Sequence, residues 1–415
     1  MSVNTDSVVR AEPELEAAYA ETIRATLPLV GAHIDEITAA FYRRLFGNHP
    51  ELIRDLFNRG NQAQGSQQRA LAASVAAFAT YLVDPRLPHP SAMLSRIGHK
   101  HASLGITADQ YQVVHDNLFA AIVEVLGADV VTEPVAAAWD RVYWLMADSL
   151  IDLEKQLYIS AGVEPGDVFR DAMILSREDD PAGAAIFTVE SADPAAPFPD
   201  FVPGQYVSVG VRLPDGARQL RQYSLVNNPG EGRLAFAVRR VEPIAGCPAG
   251  EVSSWLHDKV AVGDHLEITL PFGDLTIDTT ANTPLVLISA GIGITPMIGA
   301  LEYLAARGSS RTILALHADR TPRTHPLLER LRTLIARLDS ATLELWYQDA
   351  AGDAHHGLLD LAAVTLPTDA DIYLCGADGF LDAVRTQLTA AGVSDERIHV
   401  EQFTPTDWRT GVCPV

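Results

Sequence analysis

Near Val168 the chain changes its hydrophobic period, and no single layer of structure accommodates both textures. Upstream, apolar residues recur at intervals of three and four, as in Val135, Trp139, Val142, Leu145, Met146, Leu150, Leu153 and Leu157. That is the stripe of an amphipathic helix. Thr107-Ala108-Asp109-Gln110 reads as a capping box, and Thr132-Glu133-Pro134 as a cap followed by an early proline. Downstream come short β runs broken by Pro and Gly: Ala185–Glu190, Gln205–Val211, Gln219–Val226, Arg233–Arg240 and His265–Leu270. Such spacing predicts a small antiparallel barrel. From Pro284 strands alternate with helices. Strand Pro284–Ala290, helix Pro296–Arg307 and strand Thr312–Ala318 are followed later by strand Asp371–Cys375, helix Asp378–Ala391 and strand Ile398–Phe403. This is the pattern of a doubly wound parallel sheet. Three domains are expected: an all-α domain over 1–160, an antiparallel β-barrel over 166–279 and an α/β domain over 280–415. Gly162 to Gly166, with Pro165 between them, is the linker.

Charge narrows the function classes. With 31 Lys+Arg against 53 Asp+Glu the net charge is -22, so neither nucleic acid nor an anionic membrane is an expected partner. An anionic small ligand then needs locally placed arginines or helix amino ends. The three cysteines, Cys247, Cys375 and Cys413, cannot supply four thiolates to an iron–sulfur cluster and set no disulfide framework. The polar, acidic start predicts no signal peptide. The most apolar run, Ala70 to Val83, is bounded by Arg69 and Asp84 and is too short to span a bilayer. A cytoplasmic protein without stable membrane insertion, and a monomer, is expected.

Several segments carry chemistry. Arg221-Gln222-Tyr223-Ser224 lies in a strand, where Arg221 and Tyr223 face one way. A guanidinium grips phosphate at two points, and a tyrosine beside it offers a ring face. The plain alternative is a surface arginine beside a half-buried tyrosine. Pro203-Gly204-Gln205-Tyr206 precedes another strand, and Gly250-Glu251-Val252-Ser253 opens a helix whose amide groups can hold a pyrophosphate. Gly291-Ile292-Gly293-Ile294-Thr295-Pro296 follows a buried strand and starts a helix, with Thr295 as expected cap. Its glycines let backbone approach a dinucleotide at the positive helix end. Cys375-Gly376 ends another parallel strand.

This ordered set resembles the ferredoxin-reductase-like module, which passes electrons from a nicotinamide to a flavin. The resemblance implies that Arg221 and Ser253, with Gly250 and Val252, hold the FAD phosphates. Tyr206, Gln222, Tyr223 and Ser224 would bind the flavin. Gly291, Gly293, Ile294, Thr295, Pro296, Cys375 and Gly376 would serve NAD(P)H. Phe403, in Glu401-Gln402-Phe403, would cover the flavin face until nicotinamide displaces it.

The helical part adds Ala40-Phe41-Tyr42-Arg43-Arg44-Leu45-Phe46, Leu56-Phe57-Asn58, Gln67-Gln68-Arg69-Ala70-Leu71, Lys100-His101, Asp109-Gln110-Tyr111 and Leu153-Glu154. A lone helical histidine is ordinarily a core or surface residue, and His99 with His101 could form a casual metal site. In this order the segments resemble the flavohemoglobins, over nearly the whole chain, with the helical domain a globin. The resemblance implies that His101 is the proximal ligand of heme b, bracketed by Tyr111 and Glu154. Phe57 would wedge the heme, and Tyr42, Gln67 and Leu71 would line the gas-binding face. The implied activity is that of a nitric oxide dioxygenase, which uses NAD(P)H, FAD and heme to oxidise NO with O2 to nitrate and so detoxify it. A heme-based gas sensor, or a flavin reductase with a helical docking domain, is the alternative. The chain departs from the family pattern at Ile294, where glutamine is frequent, at Ala377, where proline is usual, and at Gln402, where cysteine is common.

Overall fold

A computed structural model describes residues 14–59, 66–84, 86–87, 89–243, 248–349 and 352–403; within these, nothing is described for the side chains of 66–70, 72, 73 and 92. Gln67 is therefore described by backbone alone, and Cys247 and Cys413 lie outside the described residues. Two compact units divide the chain. The first comprises Met1–Asn48, Gln68–Ile97 and Thr107–Leu153; the second comprises His49–Gln67, Gly98–Ile106 and Glu154–Val415.

Helices α1 (Ala17–Ala32), α2 (Ile34–Asn48), α3 (Pro50–Asp55), α4 (Ser66–Val83), α5 (Ser91–Ser103), α6 (Ala108–Leu126) and α7 (Glu133–Ala161) make up the N-terminal part. In the first unit α2 buries Ile37, Phe41 and Leu45 at helical spacing. Polar pins join it to α6. Asn48 donates to Asn117 Oδ1 at 2.9 Å, and Arg43 and Arg44 both reach Glu124. Trp139 of α7 donates its indole N–H to Thr26 of α1 at 3.0 Å. At the start of α6, Gln110 Oε1 accepts the Thr107 N–H at 3.0 Å, one arm of the expected box. Among the described residues no helix is long and apolar enough to cross a membrane.

The second unit holds two sheets. Strands β1 (Phe169–Asp180), β2 (Ala184–Ser191), β3 (Tyr206–Arg212), β4 (Arg218–Ser224), β5 (Arg233–Arg239) and β6 (His265–Thr269) pair in the order β4-β3-β6-β1-β2-β5, antiparallel throughout. A bridge between Leu225 and Phe236 joins the two edges and closes the barrel. Closure removes the unpaired edges that an open sheet would expose. Helix α8 (Glu251–Lys259) follows β5.

Strands β7 (Leu285–Ala290), β8 (Ile313–Asp319), β9 (Ala341–Tyr347), β10 (His355–His356), β11 (Asp371–Cys375) and β12 (Ile398–Glu401) form the second sheet. Its order is β10-β9-β8-β7-β11-β12, all parallel. Helices α9 (Thr295–Ala306), α10 (Leu328–Ala336) and α11 (Asp378–Ala390) connect it. The order reverses between β7 and β11, the crevice where doubly wound sheets take ligands. Helix α9 packs on the barrel through Gly299, where a Cβ would lie 2.4 Å from the Leu225 carbonyl oxygen.

One expectation shifts in detail. Thr295 is not a side-chain cap: a 3-10 turn, Gly291–Ile294, precedes it, and its hydroxyl donates to the Ile292 carbonyl at 3.0 Å. Strand β1 and the α10–β9 pair were not read from sequence. Three exposed acidic residues, Asp171, Glu178 and Asp179, interrupt β1 and hide its period.

Candidate functional site

In the second unit the turn carrying His101 is held from two directions. Two residues one turn apart on α7 grip it. His101 Nδ1 lies 2.9 Å from Glu154 Oε1, and Tyr158 donates its hydroxyl to the Ile106 carbonyl at 2.6 Å. Glu154 is buried. Because a carboxylate only accepts, Nδ1–H donates, and Nε2 is the ring nitrogen suited to a metal. From the barrel side, Gln222 donates to Ser208 Oγ at 3.1 Å, Ser208 to Ser103 Oγ at 3.2 Å, and Ser103 to the Lys100 carbonyl at 2.8 Å. His99 Nδ1 accepts the Gly273 N–H at 3.0 Å. Burial pushes the Lys100 ammonium pKa down, the Arg221 cation pushes the same way, and the Glu401 carboxylate opposes both.

Phe57 also belongs to this unit. Gln219, buried in β4, donates to the Arg54 and Phe57 carbonyls at 3.1 and 3.2 Å, while its Oε1 accepts the Arg59 N–H at 3.3 Å. Arg59 reaches Asp215 at 2.6 Å and Glu251 at 2.9 Å. One buried amide thus sets the turn that presents Phe57. Sequence reading missed Gln219, because its partners lie more than 150 residues away.

In the first unit Tyr42 is buried, its ring edge-on to Phe41 at 4.7 Å and tilted against Phe46 at 5.4 Å. Tyr111 is buried, and its carbonyl accepts the Tyr143 hydroxyl at 2.6 Å. Leu71 is half-buried.

On the barrel, half-buried Arg221 donates to the Leu220 carbonyl at 2.7 Å and weakly to Gln219 at 3.4 Å. No carboxylate closes on it among the described residues. Burial lowers its pKa, against the pull of Tyr223 and Glu251. A guanidinium so placed fits an anionic cofactor that would complete its charge balance. The Tyr223 ring stacks on Phe236 at 5.6 Å, and burial raises its phenol pKa. Ser224, Val252 and Ser253 are buried, as is most of Tyr206. Ser253 Oγ donates to the Gly250 carbonyl and accepts the Val241 N–H, both at 3.2 Å. It shapes the turn, and the α8 amides remain the natural anion donors.

At the crevice of the parallel sheet, Gly291 has φ +53°. A Cβ on Gly293 would lie 2.5 Å from the Cys375 carbonyl oxygen, so only glycine lets the two strand ends approach this closely. Buried Cys375 has its thiol pKa pushed well up, first by burial and then by Glu401, so it is no nucleophile. Gly376 abuts Phe380, Ile294 and Pro296 are buried, and Phe403 is 42% exposed. Arg239, missed in the sequence, places Nη1 3.3 Å from where a Gly291 Cβ would stand.

Known proteins match this architecture. The globin family model matches residues 39–150, and that of the oxidoreductase NAD-binding domain matches residues 287–386. A flavohemoprotein of Bordetella parapertussis is 40% identical over 406 residues, covering 94% of this chain and 98% of that one. This chain belongs to the flavohemoprotein family. The crystal structure of flavohemoglobin from Malassezia yamatoensis, with bound FAD and heme, matches with TM-score 0.86 at 34% identity, covering 94% of this chain and 100% of that one. The FAD/NAD-binding domain of nitric oxide dioxygenase from Vibrio cholerae matches with TM-score 0.53 at 34% identity, covering 56% of this chain and 98% of its own. The fold expected from the change of period is thus the flavohemoprotein fold: helical globin, antiparallel barrel, then doubly wound sheet.

Proposed function

We propose that this chain is an NAD(P)H-dependent nitric oxide dioxygenase that converts NO and O2 to nitrate. It would act as a cytoplasmic monomer, with domains over 1–160, 166–279 and 280–415. The observation that carries the reading is the 2.9 Å His101–Glu154 pair in the same compact unit as the barrel and the dinucleotide crevice. A carboxylate accepting Nδ1–H makes an imidazole a stronger donor, the electronics wanted for activating dioxygen rather than storing it. The family match along nearly the full length favours this enzyme over a gas sensor or a heme-free docking module.

FAD and heme b, when bound, supply the conversion of a hydride into single electrons and the gas chemistry. The chain's own residues bind and orient. Arg221 and the amides of Gly250, Val252 and Ser253 would hold the FAD phosphates, and Tyr206, Gln222, Tyr223, Ser224 and Phe403 would hold its ring. Gly291, Gly293, Ile294, Thr295, Pro296, Cys375 and Gly376 shape the bed for NAD(P)H. His101 would hold the heme iron through Nε2, with Glu154 and Tyr111 fixing its ring and Phe57 packing the heme. Tyr42 would donate its hydroxyl to a gas held at the heme, on the face also proposed for Gln67 and Leu71; one such bond is worth roughly 1.5–3 kcal/mol.

The test is an NO electrode reading on purified holoprotein in air with NADH or NADPH added. Rapid NO loss with nitrate formed in equal amount is expected. Turnover of only a few events per hour would overturn the dioxygenase reading.

A further inference from the structure

Beyond β8 the chain Asp319-Arg320-Thr321-Pro322-Arg323-Thr324 runs over the carboxyl edge of the parallel sheet. It adjoins the Gly291 turn, because Ala318 pairs in register with Ala290. In doubly wound sheets the end of this strand meets the adenosine ribose. An outward carboxylate there accepts the 2′-hydroxyl, whereas a guanidinium accommodates a 2′-phosphate.

Here the carboxylate is turned inward. Asp319 Oδ1 accepts from Thr324 Oγ1 at 2.5 Å and from the Arg320 N–H at 2.6 Å. Oδ2 is buried, 3.9 Å from His317 Nε2. His317 itself is buried, with Ser289 on its Nδ1 at 2.8 Å and His325 stacked on its ring at 3.7 Å. Asp319 therefore faces the protein interior and is spent on structure. The arginines are not. Arg320 and Arg323 are both exposed, and neither meets a carboxylate within ion-pair distance among the described residues. Even Asp349, whose N–H reaches the Arg320 carbonyl at 2.9 Å, makes no ion pair with either. Several arginines elsewhere, such as Arg43, Arg54, Arg59 and Arg240, do hold carboxylates. Arg239 at the Gly291 turn adds a third guanidinium, at the place expected for the pyrophosphate.

We propose that Arg320 and Arg323 receive the 2′-phosphate of NADPH, so that NADPH rather than NADH is the preferred electron donor. This rests on the dinucleotide reading of the Gly291 crevice given above. Guanidinium forks match phosphate geometry, and the Asp319 carboxylate, turned inward, is not placed to repel a dianion there.

The test needs no turnover. Holoprotein is titrated calorimetrically with 2′,5′-ADP and with 5′-AMP, which differ only by the phosphate in question. We expect 2′,5′-ADP to bind at least about tenfold tighter, the scale of one charge-assisted bond. R320A/R323A should erase that margin, and R320K/R323K should keep part of it. A parallel stopped-flow measurement of flavin bleaching by NADPH and NADH should show the same ranking. Equal binding of the two probes, or a margin that survives in R320A/R323A, overturns the proposal. Flavin reduction by NADH with no such margin sinks this assignment while leaving the proposed function standing. A clear margin without flavin reduction by either nucleotide upholds the phosphate site and sinks the electron-transfer reading instead.

Discussion

At the scale of single residues, one bond governs the chemistry open to the proposed iron ligand. His101 Nδ1 meets a buried carboxylate at 2.9 Å. Charge-assisted acceptance pulls the N–H proton toward Glu154 and raises electron density on the opposite nitrogen. Glu154→Gln keeps the shape and removes the charge. The iron–histidine stretching band of the reduced heme protein is expected to fall in frequency, as read by resonance Raman spectroscopy. An unmoved band would take Glu154 out of this role. Gln219 works by the same economy of partners, since one buried amide satisfies the Arg54 and Phe57 carbonyls and the Arg59 N–H. The family resemblance pointed to the His101–Glu154 pair, whereas no local pattern announced either this pair or the partners of Gln219. A glutamate on a helix ordinarily faces solvent, and a glutamine in a strand reads as an outward residue.

At the scale of elements, the strand ends carry the consequences. His317 at the end of β8 and His325 in the following loop stack on each other, buried. Burial lowers both pKa values, and the neighbouring His317 and Arg332 help push His325 down to about 2. The folded protein therefore holds His325 neutral where the unfolded chain would take a proton. Its contribution to stability is intact above pH 6.5, the ordinary histidine value, and is lost progressively as pH falls toward the depressed value. At a pH one unit below that ordinary value the loss is about 1.4 kcal/mol. His325→Gln is expected to flatten the fall of Tm between neutral and mildly acidic pH; a wild-type slope in the variant would refute the assignment. Glycines act at the same scale. Gly299 lets α9 sit on the barrel, and Gly293 lets the ends of β7 and β11 converge. The glycine turn after a buried strand was legible in the sequence. Which strand end it would meet was not, because parallel neighbours in this sheet lie up to 86 positions apart in register, as with Leu285 and Asp371.

At the scale of the whole molecule, the segments that carry Phe57 and His101 cluster with the barrel and the parallel sheet, not with the other helices. The hydroxyl chain from Gln222 through Ser208 and Ser103 is one physical reason, and the Gly273–His99 bond is another. The proposed iron ligand and the proposed flavin strand therefore belong to one compact body. His101→Ala should abolish the Soret band of the purified protein while the flavin absorbance near 450 nm, set by the barrel, persists at roughly stoichiometric level. Loss of both chromophores together would mean that the two cofactor sites do not fold independently of the ligand. Retention of both would mean that His101 is not the ligand.

Periodicity alone determined the three architectures and most of their elements, because alternation at 3.6 or 2 is a local property of the chain. The glycine turn before α9 and the order of the motifs along the chain were local too. Tertiary structure decided the rest. It turned Asp319 inward and left Arg320 and Arg323 in solvent, gave Gln219 the carbonyls of Arg54 and Phe57, and made Thr295 a donor inside a turn instead of a cap. Such outcomes depend on which buried polar group finds a partner once distant elements pack, and no local pattern encodes that choice.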